Sequence, residues 1–277
     1  MAQNGITPPP HNNAWIDLTD KVIIVTGGSV GIGSHIVGDL RKNGAKVVVF
    51  DRNIDRAEDE SEHLLTIQGD VSNADDLERL VAQTMDVFGR IDGLVNNAGV
   101  TRVKLLVDYY HHDPAHEYSA SDLDYVFNVN VKGVLLASQA VAKVMIEQRS
   151  GVIVNISSEA GMEGSKGQSV YSASKGAVNS FTLSWAKELG SFGVRVVAVA
   201  PGINEPTPMG GGTHMDELAY TRGCRKEDLN PDYAKVIPLG RQGKLDEVAD
   251  LVTYLCSDHA SYITGTIMNV TGGKSRG

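Results

Sequence analysis

Short apolar runs rich in β-branched residues alternate along this chain with longer segments whose apolar residues recur at helical spacing. Runs of this kind are typical of strands buried on both faces of a parallel sheet, and the longer segments are typical of the covering helices. Because crossovers between parallel strands are right-handed, few topologies remain. The pattern predicts an α/β fold with a doubly wound parallel sheet. The predicted strands are Lys21–Thr26, Lys46–Phe50, Leu65–Gln68, Gly93–Asn96, Gly151–Ser157, Val194–Ala200 and Thr266–Val270.

The chain is expected to form one large domain. Its 277 residues suit a single α/β domain, and neither an internal repeat nor a hinge-like linker divides them. Residues 1–17 are rich in Pro and Asn and are expected to form an N-terminal tail, with the domain over residues 18–277. A variable stretch rich in Gly and Pro, about residues 203–230, is expected to cover the substrate as a lid.

Charge and cysteine content argue against several other classes of protein. The net charge of −9 lacks the basic excess of most nucleic-acid-binding surfaces. Two cysteines, Cys224 and Cys256, predict neither a disulfide scaffold nor a zinc site. No signal peptide and no apolar run of roughly 20 residues are recognised, so we expect a cytoplasmic protein that binds no membrane. His111, His112 and His116 cluster in a loop, but this spacing is weak evidence for metal and none is predicted.

A glycine-rich turn follows the first predicted strand and leads into a helix. Glycines at 27, 31 and 33 let the backbone approach a pyrophosphate closely, and the helix that follows offers free N–H groups. An ordinary tight turn is the alternative interpretation. The position between a strand and a helix favours a dinucleotide site.

The residues after the next strands predict which dinucleotide is bound. Asp51 ends the second strand about 20 residues beyond the glycines, where a carboxylate accepts hydrogen bonds from ribose hydroxyls and repels a 2′-phosphate. Arg52 beside it could serve NADP instead, but the glycine turn offers Ser29 and no basic residue. We therefore expect NAD. Asp70-Val71 are placed near the adenine, and Asn97-Ala98-Gly99 beneath the cofactor.

Four polar residues form a candidate catalytic set. Tyr171 and Lys175 are four apart on a predicted helix and share a face. A neighbouring ammonium group favours the phenolate form, which would bring the tyrosine towards the pKa range useful for acid–base catalysis. Ser158 would hold the substrate oxygen, and Asn130 could support a water chain to Lys175. Each residue taken alone has an ordinary structural interpretation, so the prediction rests on their combination.

Together these motifs resemble those of the short-chain dehydrogenase/reductase family over about residues 18–273. The resemblance implies a Rossmann-like domain with a seven-stranded sheet, usually a homotetramer, and catalytic roles for Asn130, Ser158, Tyr171 and Lys175. One departure is Pro206, which stands where the family often has Thr; a cofactor contact from Thr207, one residue later, is therefore doubtful. The cofactor-binding residues expected are Gly27, Ser29, Val30, Gly31, Ile32, Gly33, Asp51, Asp70, Val71, Asn97, Ala98, Gly99, Tyr171, Lys175, Pro201, Gly202 and Ile203.

Several further stretches resemble the family members that act on sorbitol 6-phosphate. They are Arg149–Glu159, Gly161–Ser165 with Gly167–Ser169, Leu105–Asp108 and the ending Gly272–Gly277. The resemblance implies reversible oxidation of D-sorbitol 6-phosphate to D-fructose 6-phosphate with NAD. Candidate substrate residues, each with a solvated surface role as the alternative, are Glu159, Glu163 and Gln168 for hydroxyl groups and Arg102, Lys104 and Lys166 for the phosphate.

Two alternatives remain open. Another polyol or ketose dehydrogenase of the same family could act on an unphosphorylated sugar. A non-catalytic NAD-sensing regulator could share the fold, since fold alone does not define function. Intact Ser158, Tyr171 and Lys175 favour an enzyme, because a sensor needs no acid–base set.

Overall fold

The structure is a computed structural model that describes residues 15–54, 62–229 and 232–275. Most of the predicted tail, residues 1–14, and residue 230 at the end of the predicted lid lie outside the described residues. The first described residue, Trp15, stacks on Tyr254 with ring centroids 5.7 Å apart. The tail boundary at residue 17 and the lid boundaries stay predictions.

Seven parallel strands form one sheet in the order β3-β2-β1-β4-β5-β6-β7, which confirms the predicted doubly wound architecture. The order reverses between β1 and β4, so the carboxyl ends of these two strands open a crevice where ligands bind in such sheets. The strands are β1 Val22–Thr26, β2 Lys46–Asp51, β3 Leu64–Gln68, β4 Gly93–Asn96, β5 Gly151–Ile156, β6 Val194–Pro201 and β7 Ile267–Val270.

Helices cover both faces of the sheet, each over its own apolar cluster. One cluster buries Ile36 and Val248, and the other buries Leu80, Val141 and Met145. The helices are α1 Gly31–Lys42, α2 Ala74–Phe88, α3 Ala120–Phe127, α4 Val134–Gln148, α5 Ala160–Glu163, α6 Ser169–Leu189, α7 His214–Arg222, α8 Tyr233–Val236 and α9 Leu245–Cys256. The short 3₁₀ turns are Pro114–His116, Gly190–Phe192, Pro208–Gly210, Lys226–Leu229 and Asp258–Ala260.

The segment Ala120–Gln148 is not one regular α-helix. A π-helical stretch, Asn128–Gly133, separates α3 from α4 and contains the buried Asn130. Such stretches often occur at functional sites because they displace one residue from the regular helical hydrogen-bond pattern. By length and composition this segment is also apolar enough to cross a membrane. Its buried residues Ala137, Val141 and Met145 pack against the sheet, which explains the composition.

The predicted lid contains α7, which contacts the loop between β4 and α3. Val103 from this loop packs with Leu218, Ala219 and Leu229 from the lid. The phenol of Tyr220 donates a 2.7 Å hydrogen bond to the carboxylate of Asp108, which is fully buried. The lid is therefore joined to the loop by both apolar and polar contacts.

Candidate active site

The glycine turn brings three backbone segments into close contact at the carboxyl end of β1. Gly27 and Gly31 have positive φ angles of 64° and 58°. A Cβ atom at Gly33 would lie 2.0 Å from the carbonyl oxygen of Gly27, so no side chain fits there. α1 begins immediately afterwards, and Val30 at its N-cap makes no side-chain capping bond. Its first N–H groups and helix dipole therefore suit an anionic group such as a pyrophosphate.

Asn97 holds this turn in place from the neighbouring strand. Its side-chain amide donates to the carbonyl oxygens of Thr26 and Gly27 at 3.1 and 2.8 Å. The hydroxyl of Thr26 in turn accepts from the backbone N–H groups of Asn97 and Ala98, both at 3.1 Å. Glycine is needed at position 27, because a Cβ atom there would lie 2.8 Å from the Cα of Ala98. The predicted cofactor segments after β1 and β4 are thus brought together.

Asp51 and Arg52 lie at the end of β2, where the ribose of a dinucleotide is expected. One carboxylate oxygen of Asp51 accepts a 3.1 Å hydrogen bond from the N–H of Ser29, and the other accepts from Asn53. The guanidinium of Arg52 instead lies 4.0 Å from the carboxylate of Asp70. Asp51 therefore borders the glycine turn, whereas Arg52 is directed to the next strand.

Asp70 forms a polar turn after β3. Burial alone would raise the pKa of its carboxyl group, but hydrogen bonds from Ser72 and the charges of Arg52 and Lys132 lower it below its usual value. The N–H and hydroxyl of Ser72 donate to one oxygen at 2.8 and 2.7 Å. Val71 beside it is buried against Gly133. Asp70 and Val71, which the sequence places near the adenine, therefore form a hydrogen-bonded turn in which the carboxyl group of Asp70 is ionised.

Tyr171, Lys175 and Ser158 meet at the end of β5. Both Tyr171 and Lys175 lie in the first two turns of α6, and the hydroxyl of Ser158 is near enough to the phenol of Tyr171 to lower its pKa. The ammonium of Lys175 lies 5.7 Å from the centroid of the Tyr171 ring and donates a 2.7 Å hydrogen bond to the carbonyl oxygen of Ile156. The predicted catalytic set is thus assembled beneath the substrate side of the crevice.

The two titratable groups of this set have shifted pKa values. Burial lowers the pKa of Lys175 to about 8, and burial raises that of Tyr171 while the Ser158 hydrogen bond partly lowers it. This net rise differs from the lowering that the sequence analysis expected for the tyrosine. The reason is that desolvation of the phenolate outweighs its stabilisation by Ser158.

Asn130 fixes the backbone that passes between the cofactor and catalytic residues. Its side-chain oxygen accepts from the N–H of Val100 at 2.8 Å, and its amide donates to the Val100 carbonyl oxygen at 2.9 Å and to the Ser174 hydroxyl at 3.0 Å. A Cβ atom at Gly99 would lie 3.6 Å from the Lys175 nitrogen. The side chain of Asn130 thus positions the Gly99–Val100 segment beside Lys175. The predicted role in a water chain stays a prediction.

The segment after β6 runs past both the catalytic serine and the glycine turn. The Pro201 carbonyl oxygen accepts from the N–H of Glu159, and Gly202 donates to the carbonyl oxygen of Val270. Ile203 accepts from the N–H of Gly243 at 2.9 Å. Thr207, whose role the sequence left in doubt, lies against the glycine turn, because a Cβ atom at Gly31 would be 3.4 Å from its Cβ.

The candidate hydroxyl-binding residues are not free surface groups. Glu159 accepts from Lys274 at 2.8 Å and from the Ser275 hydroxyl at 3.2 Å, and Glu163 lies 3.8 Å from the same lysine. Gln168 accepts from Ser165 and donates weakly to Thr101 at 3.4 Å. Lys274 was not among the predicted site residues. The only sequence signal for it was the likeness of the C-terminal ending to family members that act on a polyol phosphate.

The three candidate phosphate-binding cations differ in their surroundings. Lys104 donates to the carbonyl oxygen of Ala115 at 2.8 Å, and Lys166 contacts the Tyr110 hydroxyl at 3.3 Å. Arg102 lies over the ring of Tyr125 and also lines a cleft of about 280 Å³. The other residues lining this cleft are Thr101, Met209, Gly211, Thr213, His214 and Glu217. Arg102 therefore borders this cleft, and its guanidinium also lies 3.8 Å from the carboxylate of Asp122.

The histidine cluster of the β4–α3 loop packs around the lid. His116 stacks on Tyr220 with ring centroids 3.8 Å apart, and His111 lies 3.0 Å from the Tyr220 hydroxyl. Burial and the bond to Asp108 raise the pKa of Tyr220 to about 12. In residues 15–54, 62–229 and 232–275, no group of three or more His, Cys, Asp or Glu side chains is arranged to hold a metal ion.

Comparison with known proteins agrees with this geometry. The family model described as short chain dehydrogenase matches residues 21–217. The chain is 48% identical over 266 residues to sorbitol-6-phosphate 2-dehydrogenase of Klebsiella pneumoniae, covering 96% of this chain and 100% of that protein. It is 40% identical to a 3-oxoacyl-[acyl-carrier-protein] reductase of Synechocystis, covering 92% and 97%. The crystal structure of a 3-ketoacyl-(acyl-carrier-protein) reductase from Brucella melitensis complexed with NADH superposes with a TM-score of 0.78 at 30% identity, covering 94% and 100%.

The chain belongs to the short-chain dehydrogenase/reductase family. It is therefore an oxidoreductase of a family that uses a nicotinamide cofactor. The residues present fit such a cofactor. The glycine turn allows a close backbone approach, the uncapped start of α1 offers free N–H groups, and Asp51 offers a carboxylate.

Proposed function

We propose that this protein catalyses the reversible oxidation of D-sorbitol 6-phosphate to D-fructose 6-phosphate with NAD. One observation carries the proposal: a complete Ser158–Tyr171–Lys175 set lies in a chain that is 48% identical, over nearly its whole length, to a sorbitol-6-phosphate 2-dehydrogenase. The positions of the candidate substrate stretches support the proposal. Glu159 follows Ser158 directly, and Leu105–Asp108 lies in the loop that contacts the lid.

The proton transfer follows from the geometry of the catalytic set. The hydroxyl of Ser158 holds the C2 oxygen of the sugar against Tyr171, which removes its proton as the C2–H bond breaks. Lys175, fixed by Ile156, stabilises the phenolate electrostatically and would donate to the ribose of a bound cofactor. The nicotinamide cofactor, when bound, supplies the hydride acceptor. In the direction of ketone reduction, Tyr171 returns the proton to the oxygen, for which its raised pKa is favourable.

Preference for NAD over NADP is supported by Asp51. Its carboxylate borders the glycine turn through the Ser29 N–H, so a 2′-phosphate at this position would meet a negative charge. Arg52, the residue that could compensate, lies close to Asp70 instead. The residues proposed to hold the cofactor are those predicted from the sequence, with Thr207 added because it packs against Gly31.

The phosphate of the substrate is proposed to lie at the cleft bordered by Arg102. Gly99 is beside Lys175 and Thr101 lines the cleft, so the chain that links these two residues spans at most about 7 Å. This matches a six-carbon chain that reacts at C2 and carries its phosphate at C6. The guanidinium of Arg102 can form paired hydrogen bonds with a phosphate.

Two other functions use the same fold. A 3-oxoacyl thioester reductase is suggested by the Synechocystis relative, but the partly buried ion pair Glu159–Lys274, next to Ser158 in the chain, favours a hydroxylated substrate over an acyl chain. A dehydrogenase of free sugars differs only in lacking a phosphate site. A panel that measures oxidation of phosphorylated and free polyols, and reduction of a 3-oxoacyl thioester, with both cofactors distinguishes these functions.

We also propose a cytoplasmic homotetramer. Cys224 and Cys256 are both free, in keeping with a reducing compartment. Leu135 on α4 and Leu183 on α6 are 40% and 42% exposed, which supports burial of these helices against other copies of the chain. Light scattering should give four times the monomer mass, and a monomer at working concentration contradicts this proposal.

A further inference from the structure

An ion pair joins the C-terminal segment to the residue next to the catalytic serine. The ammonium of Lys274 donates a 2.8 Å hydrogen bond to one oxygen of Glu159, and the Ser275 hydroxyl donates to the other at 3.2 Å. The side chain of Lys274 is only 24% exposed and that of Glu159 only 13%. Glu159 follows Ser158 directly in the chain, so the pair is anchored next to the candidate catalytic serine.

The pair is held rigidly from several elements. The N–H of Glu159 donates to Pro201 at the end of β6, and a Cβ atom at Gly202 would lie 3.0 Å from a carboxylate oxygen of Glu159. The C-terminal segment is folded back through a bond from the Ser275 N–H to the Thr271 hydroxyl. Groups fixed in this way lose little further freedom when a ligand binds.

The pair keeps unused hydrogen-bonding capacity. An ammonium has three donors, and within the described parts of the chain that of Lys274 makes one hydrogen bond, to Glu159, with Glu163 farther away at 3.8 Å. Each carboxylate oxygen of Glu159 accepts one bond and can accept another. An ammonium between two carboxylates therefore offers donors and acceptors side by side, which is the arrangement that neighbouring hydroxyl groups need.

The charge of this cluster decides which part of a substrate it suits. Two carboxylates, Glu159 and Glu163, surround one ammonium, so the formal charge is −1 and a phosphate dianion would be repelled. Neutral hydroxyl groups meet no such penalty.

We propose that Lys274 and Glu159 are specificity-determining residues that bind hydroxyl groups of the polyol chain beyond the reacting carbon. This inference rests on the proposed function, since it assumes a polyol substrate. It assigns the two ends of the substrate to different surfaces, with the hydroxyl groups at Glu159–Lys274 and the phosphate at Arg102.

The test compares a long and a short substrate in Lys274→Met and Glu159→Gln. Reduction of fructose 6-phosphate is measured beside reduction of hydroxyacetone, a 2-ketone that lacks the distal hydroxyl groups. Each variant should lose about 10- to 100-fold in kcat/KM with fructose 6-phosphate, the effect of one hydrogen bond to a charged group. With hydroxyacetone the change should stay within about threefold, and Lys274→Arg should recover part of the loss with the sugar.

Lys21→Met is the matched control. Lys21 also forms an ion pair, with Asp258, and its side chain is 25% exposed. It precedes β1 and therefore lies at the amino end of that strand, away from the site at the carboxyl ends. The Lys21→Met variant should have the same kcat/KM values as the wild type.

Equal losses with both substrates in Lys274→Met and Glu159→Gln would mean that the pair only positions Ser158, and no loss with either would also overturn the proposal. If Lys274→Met does not fold, Lys274→Gln provides the same comparison. Failure of the wild type to reduce fructose 6-phosphate would instead reject the proposed function.

Discussion

The ammonium group of Lys175 lies 2.7 Å from the main-chain carbonyl oxygen of Ile156, the last residue of β5. This contact fixes a cation in a buried position beside Tyr171, where its charge is expensive to maintain. The consequence is a pKa of about 8 for Lys175, below the ordinary value of 10.5. The buried charge of Lys175 serves catalysis, but it lowers the free energy of unfolding of the protein.

That cost predicts a pH-dependent stability difference between the wild type and Lys175→Met. Between pH 8 and 10.5 the unfolded chain keeps the lysine proton while the folded chain has lost it, so folding becomes more favourable as pH rises. Below pH 8 the lysine is protonated in both the folded and the unfolded chain, so the folded state carries the full cost of burying its charge. The wild type should therefore gain about 1.4 kcal/mol per pH unit relative to the variant within this window. Urea unfolding at several pH values measures it, and a constant difference would show that Lys175 titrates normally.

Tyr171→Phe should abolish turnover while leaving cofactor affinity nearly unchanged. The phenol supplies the proton transfer, and its loss should lower kcat by at least roughly 10²–10⁴-fold. Cofactor binding, measured by fluorescence titration, should change little, because the glycine turn and Asp51 remain. Tyr262→Phe, a substitution at a fully exposed tyrosine, is the control. Near-normal kcat in Tyr171→Phe would refute the assigned mechanism.

Asp51→Asn should shift the cofactor preference towards NADP. Removing the negative charge beside Ser29 removes repulsion of a 2′-phosphate, and Arg52 then becomes its nearest cation. The ratio of kcat/KM for NAD to that for NADP should fall by about tenfold or more. Asp86→Asn, on the exposed face of α2, should leave the ratio unchanged. A wild-type preference for NADP would contradict the proposed role of Asp51.

Arg102→Ala should remove much of the discrimination between sorbitol 6-phosphate and free sorbitol. A charge-assisted bond to the phosphate contributes about 1.5–3 kcal/mol, so kcat/KM for the phosphorylated substrate should fall by about 10- to 100-fold. The value for free sorbitol should hardly change. Lys104→Ala and Lys166→Ala serve as comparisons, because these side chains contact Ala115 and Tyr110 instead. Equal effects of all three substitutions would place the phosphate elsewhere.

Local patterns were sufficient to predict the fold and much of the candidate site. α2 spans Ala74–Phe88 because Asn73 caps its start, Gly89 ends it in the left-handed conformation, and Leu77 and Leu80 share its buried face. Gly27, Gly33 and Asn97 could be placed together because the ends of adjacent parallel strands meet at one edge. These inferences need only neighbouring residues and the order of strands.

Contacts between distant segments could not be predicted in this way. Lys274 and Glu159 are 115 residues apart, and no periodicity links them. The hydrogen bond from Lys104 to the carbonyl oxygen of Ala115 likewise depends on how the loop between β4 and α3 folds. The π-helical stretch around Asn130 also escaped prediction, because its composition is that of an ordinary helix. The raised pKa of Tyr171 depends on burial, which only the folded chain defines.

The most direct test of the central claim is the ratio of kcat/KM for sorbitol 6-phosphate to that for free sorbitol, measured by NADH formation with NAD as cofactor. If Ser158, Tyr171 and Lys175 act on a phosphorylated polyol, NADH should form, and the ratio should exceed about 100, the effect of two charge-assisted contacts to the phosphate. No NADH from sorbitol 6-phosphate, or an equal rate with free sorbitol, would contradict the account.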